Sequence, residues 1–308
     1  MLVAAIQRII LTLILTCSVF SVQASIEVKH ELGTLVLPDA PRRIVVLEYS
    51  FIDALAAIGM SPIGVADDLD PERIIPEVRD LLEPWTSVGM RSQPSLEVIA
   101  RLKPDLIIGD VYRHRVSYED LSKIAPTILL KSRGESYLDA LKSAEIIGKA
   151  VGKEQEMLER IAQHKQLMDD YRLRFNNAET MQFTTVNERG MWMHGPLSFT
   201  GSLFNYLGLK SALPDLKDSH LVQANLEVLL RVNPDWLFYV RSKPVTVLES
   251  WEHNPLFKLL KISKTHQMVE VSSALWSLNR GMLAAEGIAK ELDNIVNNKS
   301  KSKSKSKP

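Results

Sequence analysis

Cysteine occurs once, at Cys17, within an N-terminal segment that reads as removable. Cleavage after Ala24 would leave a body with no thiol and no disulfide. Packing alone must then stabilise it, and a cysteine nucleophile is ruled out. Long apolar runs are also missing. Residues 9–22 are largely apolar but fall short of the roughly 20 residues a membrane span needs. With Arg8 ahead of them and Val22-Gln23-Ala24 behind, they read as a cleaved secretory signal and not as an anchor. A lipid anchor at Cys17 fits poorly, because Thr16 precedes it and more apolar sequence follows. A basic surplus is absent from the body. Without the first 24 and last ten residues, 31 bases stand against 37 acids. A body of that sign is a poor partner for nucleic acid, which is bound through a basic face. Catalytic signatures are missing as well: there is no Gly-x-Ser-x-Gly, no phosphate-binding loop and no Gly-x-Gly-x-x-Gly. Asp67-Asp68 is a lone acid pair of the kind that is usually solvated. The chain is therefore read as a non-enzyme.

What is present is organised around residues 95–108, Ser-Leu-Glu-Val-Ile-Ala-Arg-Leu-Lys-Pro-Asp-Leu-Ile-Ile. Ser95 is an N-cap, and Glu97 lies in the first turn, where the helix dipole favours an acid. Leu96, Ile99 and Leu102 share a face. Pro104 ends the helix, and Leu106-Ile107-Ile108 is a strand covered on both sides. The pattern returns at residues 225–238, Asn-Leu-Glu-Val-Leu-Leu-Arg-Val-Asn-Pro-Asp-Trp-Leu-Phe, with Glu227 in the place of Glu97. Cap, acid, apolar spacing, breaker and strand all repeat, which predicts two similar Rossmann-like α/β lobes. A length of 308 residues suits about two domains.

Between the copies, residues 153–175 predict one long helix with Met157, Ile161, His164, Met168, Tyr171 and Phe175 on one stripe. His164 reads as a core histidine, and the helix as a stiff bridge between lobes. The expected organisation is a signal at 1–24, a first lobe at 25–150, the connecting helix at 151–176, a second lobe at 177–297 and a disordered Lys/Ser tail at 298–308. An opening hairpin is expected near Gly33. Ser50 or Asp53 is expected to open a helix over residues 51–58, and Trp276 to Gly281 to form a loop before the last helix.

In open α/β sheets, ligands bind beyond the C-terminal strand ends. The loops there supply Tyr49, Trp85, Arg91, Arg113, His114, Arg115 and Arg133 from the first half. The second half supplies Arg189, Trp192, His194, Arg241, Trp276 and Arg280. In this reading arginines outnumber acids heavily. A guanidinium fork matches carboxylates, and aromatic rings offer flat walls. The expected guest is a small polyanion rich in carboxylates. His114 and His194 could ligate metal, but no paired His-x-x-x-His spacing supports it, and no metal site is assigned.

Residues 43–48 (Arg-Ile-Val-Val-Leu-Glu), Asp53-Ala-Leu-Ala-Ala, Val88-Gly-Met-Arg91, the Leu-Glu-Val…Lys-Pro-Asp-Leu-Ile-Ile unit and Arg280-Gly-Met-Leu-Ala-Ala-Glu286 together resemble the periplasmic binding proteins of iron–siderophore importers. The likeness covers nearly everything from residue 26 to 296. The helix–strand unit is shared with haem and cobalamin binders, whereas residues 50–57 and 93–97 resemble the citrate-carrying branch more closely. The resemblance implies two lobes on a helical backbone, with ferric dicitrate or a similar anionic iron chelate held in the cleft. Iron would travel as a citrate complex, so no resident cofactor is implied. It also implies a monomer in the periplasm whose Glu97 and Glu227 dock on an inner-membrane ABC permease. The alternatives are another siderophore, haem, cobalamin, or a periplasmic enzyme acting on an anionic substrate.

Overall fold

A computed structural model describes residues 25–175, 179–213 and 219–305, with side chains to 296. The expected signal at 1–24 and the last three tail residues lie outside them, as does residue 176 at the end of the expected bridge. Both copies of the repeat fold alike. Ser95 accepts from the Val98 N–H at 3.3 Å and opens helix Leu96–Leu102, after which Lys103 turns left-handed at φ 47°. Asn225 accepts from the Val228 N–H at 2.9 Å and opens helix Leu226–Val232, after which Asn233 turns left-handed at φ 43°. A left-handed residue lets the chain leave a helix sharply. The aspartate of each Pro-Asp then does one job. Asp105 accepts from the N–H groups of Arg42 and Arg43 at 2.9 and 2.7 Å. Asp235 accepts from the Thr180 N–H and hydroxyl, both at 2.8 Å. Each carboxylate ties its own strand to the start of the neighbouring parallel one.

The chain opens with the expected hairpin, β1 (Ile26–His30) and β2 (Gly33–Leu37). Then come β3 (Ile44–Val46), β4 (Gly64–Val65), β5 (Thr86–Ser87), a small ribbon of β6 (Gly89–Met90) and β7 (Gln93–Pro94), β8 (Leu106–Asp110) and β9 (Thr127–Leu130). The first sheet is parallel throughout, in the order β5-β4-β3-β8-β9. The second half contributes β10 (Thr180–Asn187), β11 (Gly190–His194), β12 (Lys210–Ser211), β13 (Leu221–Ala224), β14 (Trp236–Arg241) and β15 (Met268–Glu270). Their order is β13-β11-β10-β14-β15, with β12 beside β10. β10, β14 and β15 are parallel; β11 runs against them, and β13, antiparallel to β11, runs with them. Residues of the second half therefore reach the site both from parallel strand ends and from an antiparallel ribbon.

Helix Glu154–Arg174 buries Met157, Ile161, His164 and Met168, the stripe read from the sequence, with Phe175 as its buried C-cap. One continuous core includes Val46 and Ile108 of the first sheet, Met157 and Met168 of this helix, and Phe183 and Phe238 of the second sheet. His164 is fully buried. Its Nδ1 lies 2.7 Å from Glu286 and its Nε2 lies 2.7 Å from the Tyr137 hydroxyl. A neutral ring with its proton on Nδ1 satisfies both contacts: it donates to Glu286 and accepts from Tyr137. Arg160 donates to the same carboxylate at 2.7 Å. The network joins helices Tyr137–Ala150, Glu154–Arg174 and Met282–Lys305.

Three expectations change. The helix after β3 is Tyr49–Ala56, so Asp53 lies inside it and does not open it. The fully buried Asp53 carboxylate instead accepts from the Leu283 and Ala284 N–H groups at 3.1 and 3.0 Å, capping the closing helix from the other end of the chain. Gly281 permits this approach, because a Cβ there would lie 2.1 Å from the Asp53 carboxyl carbon. The segment before that helix is not a plain loop: Ala274–Leu278 forms a π-helical turn. The closing helix runs to Lys305, so residues 299–305 have helical backbone where the composition predicted disorder. Extending an existing helix adds a hydrogen bond per residue without a new nucleus, which composition alone does not register.

Two outcomes follow. Asp53→Ala and Gly281→Ala should each lower stability by about 1–2 kcal/mol in denaturant unfolding, as loss of a helix cap does. Their double variant should cost little more than either alone, because both remove the same contact. Burial holds the His164 imidazole below its ordinary value, against the pull of Glu286. Its contribution is therefore intact above the unfolded histidine pKa of about 6.5 and lost as pH falls toward the folded value. Melting temperature should fall below about pH 6.5, and His164→Asn should remove about one proton from that dependence.

Candidate functional site

Glu48 lies two residues past β3, at the start of helix Tyr49–Ala56, and is fully buried. Three guanidinium groups surround its carboxylate. Arg113 Nε meets Oε1 in a very short contact, Arg91 lies 3.5 Å from Oε2, and Arg280 lies 4.0 Å from Oε2. Arg91 is also claimed by Asp68: its Nε and an Nη donate to Oδ2 at 3.0 and 2.8 Å, and its backbone N–H donates to Oδ1 at 2.8 Å. These bonds hold the Asp68 carboxyl below its usual range, against burial. The Arg91 guanidinium lies 3.8 Å from the centre of the Tyr49 ring, and the Tyr49 hydroxyl donates to the Asp67 carbonyl at 3.0 Å. Trp85 donates its indole N–H to Asp67 at 3.0 Å.

Asp110 ends β8 and organises the next layer. It accepts from the N–H groups of Arg113, Ser132 and Arg133 at 2.8, 2.9 and 3.0 Å. His114 accepts from the Asp110 N–H at 2.9 Å through Nδ1 and donates to the Arg91 carbonyl at 2.8 Å through Nε2. Both ring nitrogens are engaged, so His114 is not a metal ligand. Among the described residues no group of three His, Cys, Asp or Glu side chains could hold a metal ion.

Above this layer lies a cavity of about 710 Å³. Tyr112, Arg133 and Glu135 of the first half face Trp192, His194, Phe199, Leu221 and Trp276 of the second, with Arg280 at the junction. Arg280 donates through Nε to Glu135 at 2.8 Å and through one Nη to the Ser277 carbonyl at 3.3 Å. Burial works against its charge, but the acids around it prevail and keep it firmly protonated. Arg133 stands over the Tyr112 ring at 4.9 Å. Trp276 is stacked on Phe238 at 5.2 Å and donates to Glu291 at 2.6 Å, which fixes the plane of its ring. Burial and Arg280 push His194 down to about 3, so it is a neutral wall residue that hydrogen-bonds Thr185 at 3.1 Å.

Of the ten residues expected to touch ligand, Arg133, Trp192, Trp276 and Arg280 line this cavity. Tyr49, Trp85, Arg91 and Arg113 do not; buried acids hold them behind the wall. Arg189 is 83% exposed and lies in a separate groove with Gln223 and Trp251. Arg241 is held between Glu249 and Glu270 and is likewise absent from the wall. Arg115 is exposed outside it. The expectation that arginines greatly outnumber acids is corrected too, since Glu48, Asp68, Asp110 and Glu135 sit among them. Sequence reasoning left these acids out of the site and read Asp67-Asp68 as a solvated pair, whereas Asp67 is buried and Asp68 is bonded to Arg91. A signal for two of them existed: Glu48 and Asp110 each close an apolar strand, a place where an unpaired acid would be costly. Glu97 and Glu227 are both exposed in the first turns of the two repeated helices. Glu97 also takes an Arg101 donor at 2.8 Å.

Residues 44–275 match the periplasmic binding protein family. The chain is 45% identical to the Fe(3+) dicitrate-binding periplasmic protein FecB of Escherichia coli (strain K12), over 85% of this chain and 87% of that one. It is 37% identical to the Fe(3+)-citrate-binding protein YfmC of Bacillus subtilis (strain 168), over 88% and 86%. Its fold matches that of Staphylococcus aureus SirA complexed with staphyloferrin B at a TM-score of 0.77 and 24% identity, covering 88% of this chain and 98% of that one. With two α/β halves joined by one long helix and a cavity between their strand ends, the chain belongs to the periplasmic binding protein family.

Proposed function

We propose that the chain is a periplasmic carrier that binds ferric dicitrate between its lobes and delivers it to an inner-membrane ABC permease. One observation carries this reading: Arg133 and Arg280 face one cavity whose opposite wall is aromatic and uncharged. The relatives named for ferric citrate support it. Citrate supplies the oxygen ligands to iron, and the protein meets the outer carboxylates. Each guanidinium–carboxylate bond contributes about 1.5–3 kcal/mol. Trp192 and Trp276 cover the less polar flanks of the chelate. Arg91 and Arg113 act from behind, by keeping Glu48 and the strand ends in place. No turnover is proposed. The large apolar share of the wall favours one second reading, a bulkier carboxylate-bearing iron chelate.

Titration of tryptophan fluorescence with ferric citrate should show saturable binding, while metal-free citrate should bind far more weakly. Arg280→Gln should weaken ferric citrate roughly tenfold to a hundredfold, the loss of one charge-assisted bond. A wild-type chain that ignores ferric citrate but binds another carboxylate chelate would favour the second reading. The two exposed glutamates are proposed as the docking points on the permease. Charge reversal of both (Glu97→Lys with Glu227→Lys) should abolish uptake by cells and leave ligand affinity intact; lost affinity would count against docking.

A further inference from the structure

Among the described residues lining the cavity Glu135 is the one acid, and its two carboxyl oxygens are unequal. Oε1 accepts from Arg280 Nε at 2.8 Å, while Oε2 is buried without a hydrogen-bond partner. The residue as a whole is 1% exposed. A carboxylate spreads its charge over both oxygens and needs partners at both. A carboxylic acid is the cheaper occupant: its carbonyl oxygen accepts from Arg280, and an unpaired neutral hydroxyl at Oε2 costs far less than an unpaired share of a charge. The charged groups around it also matter. Arg280 approaches from the segment ahead of the closing helix, Glu48 from the end of β3 and Asp110 from the end of β8. Arg280 thus lies among three acids, so what it offers a Glu135 anion is shared. The geometry points to Glu135 as a positioning residue that carries a proton at neutral pH, orienting Arg280 through a neutral acceptor so that the guanidinium charge stays available to an anionic guest.

Burial pushes the Glu135 carboxyl well above its ordinary value; Arg280 opposes this, and Glu48 and Asp110 add to it. An ionised carboxylate at this position would offset the charge the guest is meant to meet. A neutral one keeps the direction of the Arg280 fork without that offset. The consequence is a site whose preference for anions is set by one proton and weakens as that proton leaves. The inference rests on reading the cavity as the ferric citrate site.

The test is a ferric citrate titration from about pH 6 to about pH 9, which lies above the range in which an ordinary carboxyl titrates. Wild-type affinity should decline by roughly tenfold or more at the alkaline end. Glu135→Gln keeps a neutral carbonyl acceptor, so it should match wild type at neutral pH and lose the decline that is Glu135's own. Glu135→Ala should bind more weakly at every pH, because Arg280 loses its guide. A wild-type profile parallel to that of Glu135→Gln would overturn the inference. So would markedly tighter binding by Glu135→Gln at neutral pH, which would mean that wild type carries the anion. Infrared spectra of the ligand-free protein give an answer independent of the ligand. A protonated-carboxyl component that wild type shows and Glu135→Gln lacks supports the proton on Glu135, and coincident spectra in that region overturn it; buried Asp53, pushed up to about 7, adds a band common to both. If wild type does not bind ferric citrate, the ferric citrate reading fails while the infrared comparison still decides this one.

Discussion

A single buried carboxylate, Glu48, holds three guanidinium groups at the base of the cavity. Guanidinium groups that converge on one place repel one another, and each loses water on the way. A carboxylate at their centre reverses the sign of the local field and gives each a partner. Replacing a buried ion pair by apolar side chains can be neutral, but removing one member leaves charge stranded and is strongly destabilising. Glu48 is therefore a structural requirement for assembling arginines at all. Its placement is inexpensive in conformational terms, because it sits in the tight link between a short, fully buried strand and the helix that follows it.

The same economy recurs through the fold. Acids at strand ends and helix ends act as ties between segments far apart in the chain. Asp105 and Asp235 join neighbouring strands, Asp110 gathers three backbone N–H groups from a short helix and a loop, and Asp53 caps a helix some 230 positions away. With no cysteine outside the N-terminal segment, these charge-assisted bonds and the shared core do the cross-linking. The core runs without interruption from the first sheet across the bridging helix to the second, and the network of Tyr137, His164, Glu286 and Arg160 fastens three helices together. A body joined in this way presents a nearly preformed cavity, so little ordering free energy is spent when a guest arrives.

Much of the fold was legible because its signals are local. The two repeats announced their caps, breakers and buried strands, and the structure added only that Lys103 and Asn233 are left-handed. The stripe from Met157 to Met168 identified the bridging helix through spacing alone. The cavity was legible in outline, since strand ends are where ligands sit in such sheets. Its membership was not. Arg91 and Arg280 look equivalent as residues of adjoining loops, yet one is drawn inward by Asp68 and Glu48 while the other lines the cavity. Arg241 was expected to reach a ligand and is occupied by two glutamates of its own half.

The chain by itself determined the class of fold, the repeated unit, the bridging helix and the arginine-rich character of the loops, because periodicity, capping and turn chemistry act over a few residues. Only the tertiary structure decided which arginines keep their charge for a guest. That choice depends on acids brought from distant positions: Glu48 to Arg113, Asp68 to Arg91, Glu135 to Arg280. Electrostatic pairing is a property of distances through space, and those distances exist only once the sheets are built.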